Sequence, residues 1–147
     1  MRNIVIARRG IERAWRWLQT AEEAFAGKRW DDVVYAAQMA VEQSSKAVLF
    51  ALGIDFPREH DVSEVFGKLA GREDLPEWFR KSVSGICSAI RELAKQRGLA
   101  GYGFEQEITV DFFKDFAPEA LREAREVHAA CKKLLDQIFG TQEEIRA

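Results

Sequence analysis

The segment from Trp30 to Leu52 constrains the fold most, because it holds no proline and no glycine. Small and apolar residues recur along it at helical spacing, and they form one broad stripe: Val33, Ala37, Ala40, Val41, Ser44, Ala47, Val48 and Ala51. A stripe rich in alanine and serine lets neighbouring helices approach closely. The segment is therefore predicted to be the central helix of a bundle, and Gly53 is predicted to end it.

Three further long segments show the same helical period. The first of them ends at Gly27, as helices often do at a glycine. Another begins at Pro76 and ends in a flexible loop over Gly98–Gly103, and the last begins at Pro118 and ends at Gly140.

Shorter elements fill the gaps between these helices. Asp61 stands three residues before Glu64, a spacing typical of a capping box, and predicts a short helix to about Ala70. A helical turn is predicted around Phe112, and no segment alternates with the period of a strand. The fold class is therefore all-α: an antiparallel up-and-down bundle of four long helices plus one short helix. Residues 1–147 are expected to form a single domain, with a frayed tail over 140–147.

Composition and charge exclude several classes of protein. The formal charge of −2 gives no overall signature of nucleic-acid binding, and no segment has the length and apolar character of a signal peptide or membrane span. Arginines cluster near the start, at Arg2, Arg8, Arg9, Arg13 and Arg16. They are interpreted either as a solvated helix face or as a phosphate-facing strip.

Cys87 and Cys131 are isolated from each other and form no Cys-x-x-Cys pair, so no metal site is expected, because a zinc site needs four ligands in local pairs. Both thiols are interpreted as small core side chains in a reducing, cytoplasmic compartment. No phosphate-binding loop or dinucleotide fingerprint is present, and no cofactor is predicted.

The central helix and the loop after it resemble a known family, the HEPN (higher eukaryotes and prokaryotes nucleotide-binding) domains. The matching positions on the helix are an acid, a Tyr–Ala pair, a Gln-x-Ala-x-Glu block, a Lys–Ala pair and a final glycine, here Asp32, Tyr35, Gln38, Ala40, Glu42, Lys46 and Gly53. The stretch from Phe56 to Val62 is similar to the family's Pro-x-x-His-Asp-Leu motif. Trp17 and Ala21 in the first helix also fit the family.

The resemblance implies an antiparallel helical bundle that forms a homodimer. Many HEPN proteins are metal-independent ribonucleases that act as toxins, and some are paired with a small nucleotidyltransferase that acts as the antitoxin. Others are proposed to bind nucleotides without catalysis. No membrane partner is implied.

Active relatives carry an arginine, four to six residues, and then a histidine near the glycine-rich loop. Here Arg97 matches the arginine, but Tyr102 stands where the histidine is expected. A phenol is a poor base at neutral pH, so the group best suited to proton transfer is missing from that place. Arg97 lies on the apolar stripe of its helix, where it is interpreted either as paired with a carboxylate such as Glu42 or as a phosphate-binding residue in a dimer cleft.

Other side chains complete the candidate site. His60 is expected to anchor its loop by a hydrogen bond, and Glu42 and Lys46 to form an ion pair one turn apart. His128 follows Arg122 at the family spacing, but six residues along a helix leave the two side chains about 120° apart, so they are not expected to converge. The candidate catalytic residues are therefore Arg97, Tyr102, His60 and His128, and the candidate phosphate-binding residues are Arg97, Lys46 and Arg91.

Three functions follow from these residues. The chain is predicted to be the HEPN half of a toxin–antitoxin-like pair with a small nucleotidyltransferase, with the capacity to bind nucleotides or RNA. The alternatives are a metal-independent endoribonuclease that uses Arg97, with a base from His60 or His128, and a nucleotide-binding module without catalysis.

Overall fold

The structure is a computed structural model that describes residues 2–141. Four long helices carry most of this range: α1 (Arg2–Ala26), α2 (Trp30–Ala51), α4 (Glu77–Tyr102) and α5 (Ala117–Phe139). A short helix, α3 (Ser63–Gly67), lies between α2 and α4, and no strand occurs in the described part of the chain. The prediction of an all-α bundle with four long helices and one short helix is confirmed.

Helix α2 lies at the centre of the bundle, and residues around most of its circumference are therefore buried. It packs against α1, α4 and α5, whereas the other helices bury one stripe each. A Cβ atom at Gly10 of α1 would lie 3.2 Å from the Cβ atom of Ala47, so these two helices approach very closely there. The small residues of the α2 stripe permit this approach, as the sequence predicts.

The helix boundaries agree with the glycine and proline signals. Helix α1 ends at Ala26 before Gly27, and α5 ends at Phe139 before Gly140. Gly53 adopts a positive φ of 71° two residues after the end of α2, Pro76 is the residue before α4, and Pro118 lies in the first turn of α5. A 3-10 turn at Val110–Phe113 confirms the predicted turn around Phe112.

The predicted flexible loop at Gly98–Gly103 is wrong. Helix α4 continues through it to Tyr102, and a 3-10 turn follows at Gly103–Gln106. Glycine disfavours a helix by about 1 kcal/mol per residue, but tertiary packing can outweigh that cost. At Gly101 a Cβ atom would lie 3.3 Å from the ring of Tyr35, so the glycine lets the end of α4 pack against α2.

The start of the short helix also differs from the prediction. Asp61 accepts a hydrogen bond from the backbone N–H of Ser63 at 2.9 Å, and Val62 precedes α3 without a side-chain cap. The capping box with Glu64 is therefore wrong, and Asp61 instead stabilises the turn before the helix. Helix α3 ends at Gly67, and a 3-10 turn follows at Lys68–Gly71. In the predicted frayed tail, residues 142–147 lie outside the described part of the chain.

Candidate functional site

A cluster of polar side chains lies where α2, α4 and the loop after α2 meet. Helix α2 contributes Tyr35, Gln38, Glu42 and Lys46, which share one face because they are spaced by three or four residues. Helix α4 contributes Arg97 from near its end, and the loop contributes His60. We call these six side chains the α2 cluster.

Arg97 is held by neutral acceptors. Its Nε atom donates to Oε1 of Gln38 at 3.0 Å, and one of its terminal nitrogens donates to the hydroxyl of Tyr35 at 2.8 Å. The guanidinium carbon lies 4.7 Å from the centre of the Tyr35 ring. The alternative in which Arg97 pairs directly with Glu42 is wrong, because Gln38 lies between them. Arg97 forms no ion pair with any described residue, so its half-buried positive charge remains available to an anion.

Glu42 is the buried anion of the cluster. Its carboxylate accepts hydrogen bonds from Gln38 at 2.8 Å and from Lys46 at 3.1 Å, and it contacts His60 at 2.7 Å. Burial would raise the pKa of Glu42, but these three partners outweigh burial and lower it. The side chain is therefore ionised at neutral pH, and the predicted ion pair with Lys46 is confirmed.

His60 projects from the loop and uses one ring nitrogen to hold it in place. Its Nδ1 atom faces Glu42, while its side chain is 51% exposed. The expected loop-anchoring hydrogen bond is therefore present. An ionised carboxylate at Nδ1 favours the tautomer with the proton on that nitrogen, which leaves Nε2 as a proton acceptor.

The guanidinium of Arg97 and the imidazole of His60 are therefore linked through Gln38 and Glu42, two side chains of α2. Arg97 contacts Gln38, Gln38 donates to Glu42, and Glu42 holds His60. Positions 38 and 42 are one turn apart, which is about 6 Å along the helix axis. Arg97 and His60 thus flank one short stretch of α2, although they are far apart in the sequence.

A second contact series joins this cluster to α1. The ring of Trp17 lies edge-on to the ring of Tyr35, with centroids 6.4 Å apart, and the guanidinium of Arg13 lies 4.9 Å from the Trp17 ring. Sequence reasoning did not place Trp17 at the site, and it gave Arg13 only as one of the N-terminal arginines that could face a phosphate. Their spacing of four residues on α1 is compatible with contact, but it does not show which helix they face.

Tyr102 lies outside the cluster. Five residues beyond Arg97 on a continuous helix, its side chain points about 140° away from Arg97. It is 60% exposed, and Phe104, two residues further along the chain, is 72% exposed. The phenol is thus accessible to a partner, but it does not replace the missing histidine beside Arg97.

His128 is not brought to the cluster either. It is buried on α5, where Nε2 lies 3.3 Å from the carbonyl oxygen of Ile11 and the ring stacks at a tilt on Trp15, with centroids 5.6 Å apart. Burial lowers the pKa of His128. Arg122 is exposed and pairs with Glu119 and Glu126, so the prediction that it does not converge with His128 is confirmed.

The remaining basic residues divide into buried and exposed groups. Arg8 is 6% exposed and pairs with Asp136 at 2.6 Å, and it also donates to the carbonyl of Gly140. The interpretation of the whole N-terminal arginine group as one surface strip is therefore wrong, because Arg8 joins α1 to the end of α5. Arg91 is exposed on α4 and makes no hydrogen bond with the α2 cluster.

The described residues contain no group of three or more His, Cys, Asp or Glu side chains placed to hold a metal ion. Cys87 and Cys131 are both buried, as predicted, and burial raises the pKa of each thiol. No helix within residues 2–141 combines the length and the apolar character that a membrane crossing requires.

Fold and site together define an all-α bundle whose central helix carries a buried carboxylate between an arginine and a loop histidine. The family model of the HEPN domain matches residues 7–134, and the chain belongs to this family. The chain is also 27% identical over 146 residues to a protein of Methanocaldococcus jannaschii named "Putative toxin MJ1304"; the match covers 96% of this chain and 95% of that protein. No solved structure matches.

Proposed function

We propose that this chain is a toxin-type HEPN protein that binds and cleaves RNA at the α2 cluster. The observation that supports this most is the contact of His60 Nδ1 with the ionised Glu42 at 2.7 Å, within the hydrogen-bonded series that ends at Arg97. An imidazole held in this way can transfer protons, so the cluster offers a base that the motif around Arg97 lacks. The toxin designation of the Methanocaldococcus relative is consistent with this role.

The proposed reaction is the internal transesterification of RNA. Nε2 of His60 accepts the proton of a ribose 2′-hydroxyl, and the 2′-oxygen attacks the adjacent phosphorus. The bond from phosphorus to the 5′-oxygen breaks, leaving a 2′,3′-cyclic phosphate and a 5′-hydroxyl. The leaving oxygen takes its proton from solvent, and the imidazolium returns its proton to solvent.

Arg97 and Lys46 have electrostatic roles in this reaction. The Arg97 guanidinium has no carboxylate partner among the described residues, so it can neutralise the charge that develops on the non-bridging phosphate oxygens. Lys46 remains paired with Glu42, and its charge compensates the buried carboxylate. Arg97 would therefore bind the phosphate directly, whereas Lys46 would mainly stabilise Glu42.

Incubation of the purified protein with transfer RNA and with an unstructured RNA tests the proposal. Wild-type protein is expected to produce fragments that end in a cyclic phosphate, and Arg97→Ala and His60→Ala are expected to abolish them. Arg122→Ala is the matched control, because it removes an exposed arginine that lies outside the cluster. Intact RNA after incubation with folded wild-type protein would contradict the proposed cleavage.

A second proposal concerns regulation by a small nucleotidyltransferase, and it is supported by the exposure of Tyr102. The phenol oxygen would attack the α-phosphate of ATP and lose its proton, forming a Tyr–AMP ester and releasing pyrophosphate. Co-expression with such an enzyme should add the mass of one adenylyl group, and Tyr102→Phe should prevent it. An adduct on a different residue, or none, would overturn this assignment.

The family resemblance also suggests a homodimer in solution. Sedimentation of the purified chain over a range of concentrations tests this directly. A species with the mass of one chain at all concentrations would contradict it.

A further inference from the structure

A cleft of about 360 Å³ lies between α1 and α2, next to the α2 cluster. Ile6, Phe50 and Phe56 supply apolar walls, and Arg9, Arg13 and Lys46 supply three cationic groups. The cleft thus combines apolar walls with three positively charged side chains.

Two contacts connect this cleft to the proposed cleavage site. Lys46 lines the cleft, and its ammonium group also donates to Glu42 at 3.1 Å. Arg13 lines the cleft and lies over Trp17, whose ring contacts Tyr35 beside Arg97. A strand whose phosphate is bound at the α2 cluster could therefore extend into the cleft.

The chemistry of the lining suits a nucleobase. The Phe56 ring has the Lys46 ammonium 5.8 Å from its centre, a cation and an aromatic face side by side. Flat rings with nearby cations bind successive bases of single strands by stacking.

We propose that the cleft is a subsite for one unstacked nucleobase, and that the ligand is single-stranded RNA. Bases in an RNA duplex remain stacked on each other and cannot enter a cleft of this kind. The choice of RNA as the ligand rests on the proposed function. The assignment of a base subsite rests on the residues that line the cleft.

Fluorescence anisotropy with a labelled, uncleavable 2′-O-methyl oligouridine measures this binding without interference from cleavage. We expect Phe56→Ala to weaken binding by roughly 5- to 100-fold, the usual effect of losing one stacking ring. Phe56→Leu keeps apolar bulk in the wall but removes the flat ring, and it should weaken binding to a similar extent. A duplex of the same length should bind at least about tenfold more weakly than the single strand.

The contribution of charge is separated by a matched pair of variants. Arg13→Gln removes a cation that lines the cleft. Arg16→Gln removes a cation from the same helix, but Arg16 lines a different groove, between α1 and α5. Arg13→Gln should weaken binding more than Arg16→Gln does at the same salt concentration. Equal losses would indicate general attraction by the basic helix and would overturn the subsite.

The two proposals fail in different ways. If Arg97→Ala and His60→Ala abolish cleavage but Phe56→Ala and Phe56→Leu bind the oligonucleotide like wild type, the base subsite is overturned and the cleavage site stands. If the wild type cleaves nothing but binds single strands through Phe56 and Arg13, the subsite is supported and the proposed cleavage is lost. Circular dichroism of each variant shows whether it retains the helical fold.

Discussion

Nδ1 of His60 and the amide nitrogen of Gln38 contact the same atom, Oε1 of Glu42, at 2.7 and 2.8 Å. One buried oxygen therefore positions both the loop imidazole and the side chain that holds Arg97. This arrangement makes Glu42 a positioning residue for two groups, and it explains why a polar residue can be buried on the central helix of the bundle.

Replacement of Glu42 by glutamine is expected to lower RNA cleavage by roughly 10²- to 10⁴-fold, as when the carboxylate that orients a catalytic histidine is lost. The neutral amide can present an N–H group to Nδ1 of His60 and so select the wrong tautomer. Single-turnover cleavage across a pH series measures the effect. A Glu42→Gln protein that keeps the helical fold and cleaves RNA at the wild-type rate would contradict this positioning role.

Removal of the Tyr35 hydroxyl tests the support of Arg97. In Tyr35→Phe the guanidinium keeps Gln38 and the aromatic face but loses one hydrogen bond. We expect the free energy of unfolding to fall by about 0.5–1.5 kcal/mol, measured by urea denaturation. Cleavage should fall as well, because Arg97 is less firmly oriented. Unchanged stability and activity would show that the hydroxyl does not position Arg97.

Arg8 is expected to stabilise the fold without a role in RNA binding. Its buried guanidinium joins Asp136 and the carbonyl of Gly140, so Arg8→Met should lower the free energy of unfolding by about 1–3 kcal/mol. Arg9→Gln, at an exposed position on the same helix, should change stability by less than about 0.5 kcal/mol. Thermal or urea denaturation compares the two. A stable Arg8→Met protein with impaired RNA binding would reverse this assignment.

The burial of His128 predicts a pH dependence of stability. Burial lowers the folded-state pKa of His128 below its ordinary value, so the unfolded chain binds a proton more readily than the folded one. The free energy of unfolding should therefore fall as pH decreases from about 7 towards 5, because protons favour the unfolded state. His128→Gln should remove most of this decrease, since its amide can still donate to the carbonyl of Ile11 but does not titrate. His60→Ala is the control and should retain it; an unaltered pH profile in His128→Gln would show that another group is responsible.

The helical elements were predictable because each one carries local signals. The α2 stripe indicates which face of that helix is buried. Gly53 and Pro118 indicate a helix end and a helix start within a few residues. The prediction failed at Gly98–Gly103, where three glycines favour a loop but the contact of Gly101 with Tyr35 favours a helix. Local propensity is weaker than a tertiary contact at that position.

The candidate site was predictable only in part. The spacing of Gln38, Glu42 and Lys46 already places them on one face of a helix, and the ion pair between the last two follows from it. The partners of Arg97 could not be predicted from this spacing. Its long side chain could have reached Tyr35, Gln38 or Glu42 on that face of α2. Arg8 was interpreted with its exposed neighbours, since the sequence does not show that Asp136 lies opposite it.

The sequence by itself determined that this chain is a helical bundle of the HEPN type, because periodicity and motif spacing are properties of neighbouring residues. Only the tertiary structure decided that Arg97 rests on Gln38 and Tyr35, and that His60 is held by Glu42 on the same helix face. Arg97 and Gln38 are 59 residues apart in the chain, and their contact depends on the angle and offset at which α4 crosses α2. That geometry arises from the packing of the whole core, which no local pattern encodes.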